Sequence, residues 1–177
     1  MQQSMKIDVM MDENLFRDFV MFDHFKYRKI WKKPLLFAAI FTAFSLLCFA
    51  MRGIRDQADL LGVVLLIIGL GLPLVYFGMF FRTVIGQIKN LKLAKPRLFY
   101  TVHMNPVNIV MTAKGAVDQS FLWEGVERAY RTKNAVYLYV APGSALILPF
   151  QNAKGGADAL WAFLTDRLGE NRMAVIK

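Results

Sequence analysis

The residues whose types and spacing could do chemistry lie mainly between positions 124 and 133. Glu124 and Glu127 are three residues apart, as two carboxylates that cooperate in acid–base catalysis could be. Because side chains alternate between the two faces of a strand, residues at this spacing need not share a face. No histidine or metal ligand stands beside them. The pattern therefore favours two solvated surface carboxylates.

Three cations accompany these carboxylates, and their chemistry would be anion recognition. Arg128, Arg131 and Lys133 are close enough in sequence to bind a phosphate or a lipid headgroup. The neighbouring glutamates offer them ordinary surface ion pairs, which is the interpretation that the sequence favours.

The other reactive residue types are isolated. Ser144 follows a Pro-Gly pair without a G-x-S-x-G motif, so it is predicted to be a turn residue. Cys48 is the only cysteine, and His24 and His103 are 79 positions apart, which disfavours disulfides and metal sites. We expect His103 to be structural or at the surface. No phosphate-binding loop, dinucleotide fingerprint or HExxH motif occurs. The sequence therefore predicts no catalytic, metal-binding or cofactor-binding residue, no cofactor and no enzyme.

The composition is typical of a membrane protein. Of the 177 residues, 56% are hydrophobic and 20% are charged, against about 45–50% and about 25% in soluble domains. The net charge of +9 comes from two acid-free clusters, without which 12 basic and 13 acidic residues remain. A nucleic-acid-binding surface would spread such charge over the folded domain, so we expect no nucleic-acid partner. The clusters are Lys26, Arg28, Lys29, Lys32, Lys33 and Arg82, Lys89, Lys92, Lys95, Arg97.

The two clusters flank two uncharged runs, residues 35–51 and 60–81. As helices these runs would extend roughly 25 and 33 Å, against a hydrocarbon core of about 30 Å. A pair of buried core helices would need a larger surrounding domain. The loop 52–59 has balanced charge, so the positive-inside rule places this loop outside and both termini in the cytoplasm. Recurring small residues indicate close helix packing, either within the hairpin or between subunits.

The flanking sequence predicts a cytoplasmic domain built from both ends of the chain. Residues 5–11 alternate as a strand. Asp12 is the predicted N-cap of an amphipathic helix that either lies on the membrane or packs on the domain. Pro34 disfavours helix at Lys33, so a break is expected before the first span. Beyond a helical connector, alternation predicts strands over 98–104, 107–111, 117–122, 126–131, 135–140 and 144–150. A terminal helix has its apolar stripe at Ala157, Leu160, Trp161, Leu164 and Leu168, and the last eight residues should be loosely held.

Four stretches that follow the hairpin carry a resemblance to a known family. They read VNIVMT, FLWEGVERAYRTKNAVYLYV, ALILPFQN and ALWAFLTDRL, and together they resemble the YcxB-like family of small bacterial membrane proteins. The resemblance implies a cytoplasmic part similar to a pleckstrin-homology-like barrel, and it implies no reaction. The turn after Phe150 departs from the family pattern because it is rich in Asn and Gly rather than basic. This disfavours an anion-binding role for that turn.

We therefore expect an α+β membrane protein with a two-helix transmembrane hairpin and a small antiparallel pleckstrin-homology-like β-barrel or sheet closed by a C-terminal helix. The predicted segments are 1–33 (strand and amphipathic helix), 34–81 (hairpin), 82–97 (basic helical connector) and 98–177 (cytoplasmic domain). The expected location is the bacterial inner membrane, with two spans and both termini in the cytoplasm.

The expected function is non-enzymatic binding or scaffolding of a protein or peptide, with strand addition beside residues 144–150 as the hypothesis. One alternative is that the chain is a membrane protein that binds the headgroups of lipids in the surrounding bilayer. Another is a homo-oligomeric hairpin with a transport or self-immunity role. The candidate contacts to anionic lipid are Lys29, Lys32, Lys33, Arg82, Arg128 and Arg131.

Overall fold

The computed structural model describes residues 4–51, 53 and 57–176. The chain divides into two compact units: a β unit, Met1–Phe19 with Lys92–Lys177, and a helical unit, Val20–Leu91. The strands are β1 Met5–Met11, β2 Arg97–Met104, β3 Asn108–Thr112, β4 Gln119–Leu122, β5 Arg128–Arg131, β6 Ala135–Ala141, β7 Ser144–Pro149 and β8 Met173–Val175. The α-helices are α1 Glu13–Met21, α2 Lys32–Ala50, α3 Ala58–Asn90 and α4 Gly156–Leu168, and Phe22–Tyr27 continues α1 as a π-helical segment.

In the helical unit, α2 and α3 pack antiparallel through two glycines of α3. A Cβ on Gly62 would lie 2.9 Å from the Phe49 ring, and one on Gly69 would lie 3.0 Å from the Phe41 Cβ. The buried Ser45 hydroxyl donates to the Gly62 carbonyl at 2.7 Å. The small-residue pattern therefore serves packing within the hairpin at these positions. By contrast, a Cβ on Gly71 or Gly78 would meet nothing within 4 Å among the described atoms.

Helix α2 begins earlier than the sequence predicted. Its first residue is Lys32, so Lys33 is helical and the prediction for Lys33 is wrong. Pro34 lies in the first turn, where a backbone N–H has no intrahelical acceptor, so its missing donor costs the helix nothing. The expected break lies upstream at residues 28–31, where Lys29 adopts a φ of 52°. In the predicted loop 52–59, residues 52 and 54–56 lie outside the described residues, and Ala58 and Asp59 already belong to α3.

Among the described residues of the β unit, eight strands form two four-stranded sheets, ordered β1-β2-β3-β4 and β7-β6-β5-β8. The strand before the hairpin pairs antiparallel with the strand after it, from Met5 opposite Met104 to Met11 opposite Arg97. Alternation in β1 buries Ile7, Val9 and Met11, as the sequence predicted. Asp12 then caps α1, because its Oδ1 accepts the Leu15 N–H at 2.8 Å.

Two features of the β unit differ from the expectation. The described strands form two sheets and no closed barrel. The last residues are not loosely held, since β8 pairs parallel with β5 from Ala129 opposite Met173. Three residues carry too little periodicity to reveal a strand, and only the folded partner strand makes β8 visible.

The core of the β unit lies between the sheets and α4. Leu160, Leu164 and Leu168 are buried along α4, as predicted. Phe163 is also buried, and its ring meets the buried Trp123 at 6.1 Å between centroids. Trp161 is only half-buried, so the buried stripe of α4 is centred closer to Phe163 than the sequence suggested.

Candidate functional site

The predicted lipid contacts divide between the two units. Lys29, Lys32, Lys33 and Arg82 belong to the helical unit and are all exposed. Because α2 and α3 are antiparallel, the start of α2 and the stretch of α3 near Arg82 lie at the same end of the hairpin. These four cations, named here the basic collar, therefore lie together at one end of the two apolar helices.

An aromatic cluster lies at the same end of the hairpin. The His24 ring stacks on Phe80 at 4.1 Å between centroids, and its Nε2 lies 2.8 Å from the Tyr76 hydroxyl. Burial lowers the pKa of His24, opposed by the nearby Asp23 carboxylate and assisted by the Arg28 guanidinium. These contacts fix the π-helical segment against α3 beside the basic collar. Sequence reasoning missed this cluster because its members are about 50 residues apart.

The indole of Trp31 is also fixed at this end, since its Nε1 donates to the Phe25 carbonyl at 2.9 Å. Trp31 immediately precedes α2, at the position where an aromatic residue would mark the interface if the helix crossed a membrane. The geometry thus places aromatic and basic side chains together where the apolar helices begin and end.

The two remaining candidate cations belong to the β unit and differ from each other. Arg128 is exposed, whereas Arg131 is half-buried. The Arg131 guanidinium pairs with Asp158 at 2.7 Å and lies 5.7 Å from the ring centroids of both Phe150 and Trp161. These contacts join β5 to α4, so they support a structural role for Arg131 and leave Arg128 as the freer cation.

The predicted strand-addition edge at β7 is partly covered. The Tyr100 hydroxyl accepts the Ile147 N–H at 2.8 Å and donates to the Ile147 carbonyl at 3.3 Å. Because the side chain of Tyr100 occupies this stretch of backbone, the hypothesis of strand addition beside residues 144–150 is wrong at Ile147. Burial raises the pKa of Tyr100 to about 12, and the Ile147 backbone bond opposes the shift.

The edge at β4 has a different character. In the part of the chain that the structure describes, β4 pairs only with β3, and no further backbone hydrogen bond reaches its outer side. Large apolar side chains lie exposed around it: Leu122 is 58% exposed, and Val107 and Val117 are 73% and 88% exposed. Leu122 pairs with Asn108, the residue that follows Val107, so both apolar residues lie at the same end of the β3–β4 pair. This edge therefore combines unpaired backbone with an apolar surface.

Glu124 and Glu127 both lie exposed within the connection between β4 and β5. The Glu124 carbonyl, together with those of Trp123 and Val126, faces the Arg172 guanidinium at 3.2–3.4 Å. Within the described ranges, no group of three or more His, Cys, Asp and Glu side chains is placed to hold a metal ion.

These features define the chain as an α+β protein with two helices long and apolar enough to cross a membrane. Residues 108–157 match the family described as YcxB-like protein, which confirms the resemblance over strands β3 to β7. The match ends within the first residues of α4, so most of the closing helix lies beyond it. Comparison with curated proteins found no match, and comparison with solved structures found none.

Proposed function

We propose that the chain is a non-enzymatic bacterial inner-membrane protein, with α2 and the apolar part of α3 spanning the bilayer. Their most apolar windows have mean hydropathies of 1.9 and 2.6, yet only 6% and 17% of those windows is buried. Core helices of a soluble protein would be mostly covered, so this exposure supports lipid as the surrounding solvent.

The pairing of β1 with β2 supports two crossings. One strand precedes the hairpin and the other follows it, so both flanks lie on the same side of any membrane that the hairpin spans. The exposed basic collar supports the cytoplasm as that side, because Lys and Arg remain inside. A reporter enzyme inserted after Gly53 should be active only outside the cell, and one fused to the C-terminus only inside.

We further propose that the β unit is a pleckstrin-homology-like module that binds an extended segment of a partner protein. Two four-stranded sheets with a C-terminal helix support the fold, together with the family match over β3 to β7. The unpaired outer edge of β4 carries the binding proposal. A partner strand would hydrogen-bond to this edge and place an apolar side chain against Leu122.

The test is selection from a library of seven-residue peptides against the full chain in phosphatidylcholine nanodiscs. In strand addition, every second backbone amide of the peptide faces the sheet edge and donates a hydrogen bond to it. N-methylation of the amides that face the edge should therefore abolish binding, whereas N-methylation of the amides that face away should leave binding intact. Leu122→Lys should remove binding, since charge on an edge strand opposes pairing. Leu98→Lys is the matched control, because Leu98 is 55% exposed in the same unit.

Three outcomes would refute the edge proposal. They are the absence of any enriched peptide, equal tolerance of both N-methylation patterns, and equal damage from the Leu98 and Leu122 substitutions.

A second function, attraction to anionic lipid, is supported by the exposure of the basic collar. Each cation near an anionic leaflet contributes about 1 kcal/mol, so Lys29, Lys32, Lys33 and Arg82 would enrich acidic lipids around the hairpin. Substitution of all four by Gln should abolish the enrichment measured by native mass spectrometry, while Arg128→Ala and Arg131→Ala test the β unit. Unchanged lipid preference in all variants would exclude this function.

A further inference from the structure

A small pocket lined mainly by polar residue types lies in the β unit where three distant segments meet. Its volume is about 270 Å³, and β1 begins at it while β2 ends at it. The third segment is the turn between Phe150 and α4, which the sequence disfavoured for anion binding because it is rich in Asn and Gly; its one lysine, Lys154, nevertheless lines the pocket. We name it the N-terminal pocket; its lining residues are Ser4, Met5, Lys6, His103, Asn105 and Lys154.

The β1–β2 pairing sets two of its donors side by side. Lys6 and His103 are direct partners in the antiparallel register, so their side chains leave the same face of the sheet with Cβ atoms about 5 Å apart. That face is the outer one, because the neighbouring Ile7, Val102 and Met104 are all buried. The strands thus hold the Cβ atoms of a lysine and a histidine at a fixed spacing.

Lys6 is only loosely engaged by its nearest carboxylate. Its Nζ lies 3.7 Å from the Asp8 Oδ1, and both side chains are more than half exposed. The same Oδ1 accepts the Thr101 hydroxyl at the shorter distance of 2.7 Å. An exposed ion pair of this kind has little strength, so Lys6 can turn to another anion.

Asn105 adds a neutral donor on a fixed backbone. Its N–H donates to the Asn108 carbonyl at 2.9 Å, and its own carbonyl accepts the Trp123 Nε1 at 2.8 Å. The side-chain Nδ2, by contrast, has only a 3.5 Å contact with the Asn108 side chain. The amide therefore remains able to donate into the pocket beside the Ser4 hydroxyl.

We propose that the N-terminal pocket binds a phosphate group, as the free ion or on a small monoester. Two ammonium groups supply charge, while imidazole, amide and hydroxyl donors match the several oxygens of phosphate. No acidic side chain is among the described residues that line it. Its volume is slightly below the 300–1,000 Å³ typical of ligand sites, which suits a ligand of that size.

The test uses the two histidines of the chain as reporters. With histidine isotopically labelled in the full chain, inorganic phosphate should shift the His103 imidazole resonance in a saturable manner. His24, in the helical unit, is the internal reference, and chloride at equal ionic strength is the blank. Lys6→Gln and Lys154→Gln should each weaken binding about tenfold, as expected for loss of one charged hydrogen bond.

Two further variants test whether phosphate affinity depends on the charges at the pocket. Lys114→Gln removes an exposed lysine outside the pocket and should leave phosphate binding unchanged. Asp8→Asn removes the competing carboxylate and should strengthen binding. Equal shifts of both histidines, a response that does not saturate, or equal effects of the Lys6, Lys154 and Lys114 substitutions would overturn the proposal.

Two titrations of the same labelled protein distinguish a soluble phosphate monoester from a lipid headgroup as the ligand. Glycerol 3-phosphate added to phosphatidylcholine nanodiscs presents a soluble monoester, and nanodiscs that contain phosphatidic acid present a lipid headgroup. A His103 shift that depends on Lys6 and Lys154 in either titration supports the pocket and assigns its ligand. No such shift with inorganic phosphate, the soluble monoester or the lipid refutes it.

Discussion

The substitution Tyr100→Phe tests how the two sheets are joined. The Tyr100 hydroxyl makes both an accepting and a donating hydrogen bond to the backbone of Ile147, at the edge of β7. Its removal leaves a buried N–H without that partner, which costs about 1–3 kcal/mol. Tyr100 as a residue is only partly buried, so water can restore some of the loss. We expect the free energy of unfolding to fall by about 2 kcal/mol.

Alkaline pH gives an independent measure of the same hydroxyl. Burial raises the Tyr100 pKa from 10.0 to about 12, so the phenol keeps its proton in the folded state at a pH where the unfolded chain releases it. The stabilisation is therefore complete below pH 10 and is lost as the pH rises to about 12. Two pKa units correspond to about 2.7 kcal/mol. Burial also raises the pKa of Tyr137 to about 12, so Tyr100→Phe should remove about half of this alkaline loss.

The assay is denaturant unfolding of the full chain in detergent, with hydrogen exchange at the Ile147 amide as the local measurement. Thr101→Val is the control, because it removes the exposed Thr101–Asp8 bond from the same strand and should cost less than about 1 kcal/mol. Equal costs for the two variants, unchanged exchange at Ile147 or an unchanged alkaline loss would refute the role assigned to Tyr100.

Three other results are expected. Gly69→Ala should destabilise the hairpin by about 1–3 kcal/mol, because the new Cβ would meet Phe41 and the Ala38 backbone. Gly78→Ala should leave the stability unchanged, because a Cβ at that position faces open space. Thermal unfolding of both variants checks this. In detergent without anionic lipid, Arg131→Ala should lower the free energy of unfolding by about 1 kcal/mol, whereas Arg128→Ala should leave it almost unchanged. Equal free energies of unfolding for the two variants would contradict the structural role of Arg131. Because the pKa of His24 is lowered, its contribution to stability should be full above pH 6.5 and lost as pH falls through that pKa; imidazole NMR should find the His24 midpoint below 6.5.

The features that the sequence predicted correctly depend on neighbouring residues. Ile7, Val9 and Met11 alternate within one strand, and Asp12 caps the helix that follows it by accepting the N–H of Leu15, three residues away, so local pattern and residue type were sufficient. The long apolar helices were predicted for the same reason. The effect of Pro34 was misjudged because it depends on where the helix starts. Helix α2 begins at Lys32, two residues before Pro34, so the proline lies inside the first turn rather than at the helix start.

The candidate sites depend on pairs that only the fold brings together. Tyr100 and Ile147 are 47 residues apart, and His24 and Tyr76 are 52 apart. Likewise, Lys6 and His103 look like unrelated surface residues until the β1–β2 register makes them partners. Arg131 has the sequence surroundings of a surface cation, yet α4 provides the carboxylate and ring that engage it. Spacing along the chain carries no information on such contacts.

The β1–β2 pairing also constrains how the chain can fold. The helical unit is inserted into the connection between two adjacent strands, so β1 has no strand partner until β2, more than 80 residues later, has been synthesised. In the proposed membrane topology, charge and strand pairing act as independent constraints: the basic collar would favour the cytoplasmic side, and the β1–β2 pairing would require both flanks to share a side. If charge reversal in the basic collar moved only one flank across the membrane, β1 and β2 would be separated and the first sheet would lose an entire strand. In the proposed topology, correct insertion of the hairpin would therefore be a condition for forming the first sheet, and through it the N-terminal pocket at the end of the β1–β2 pair.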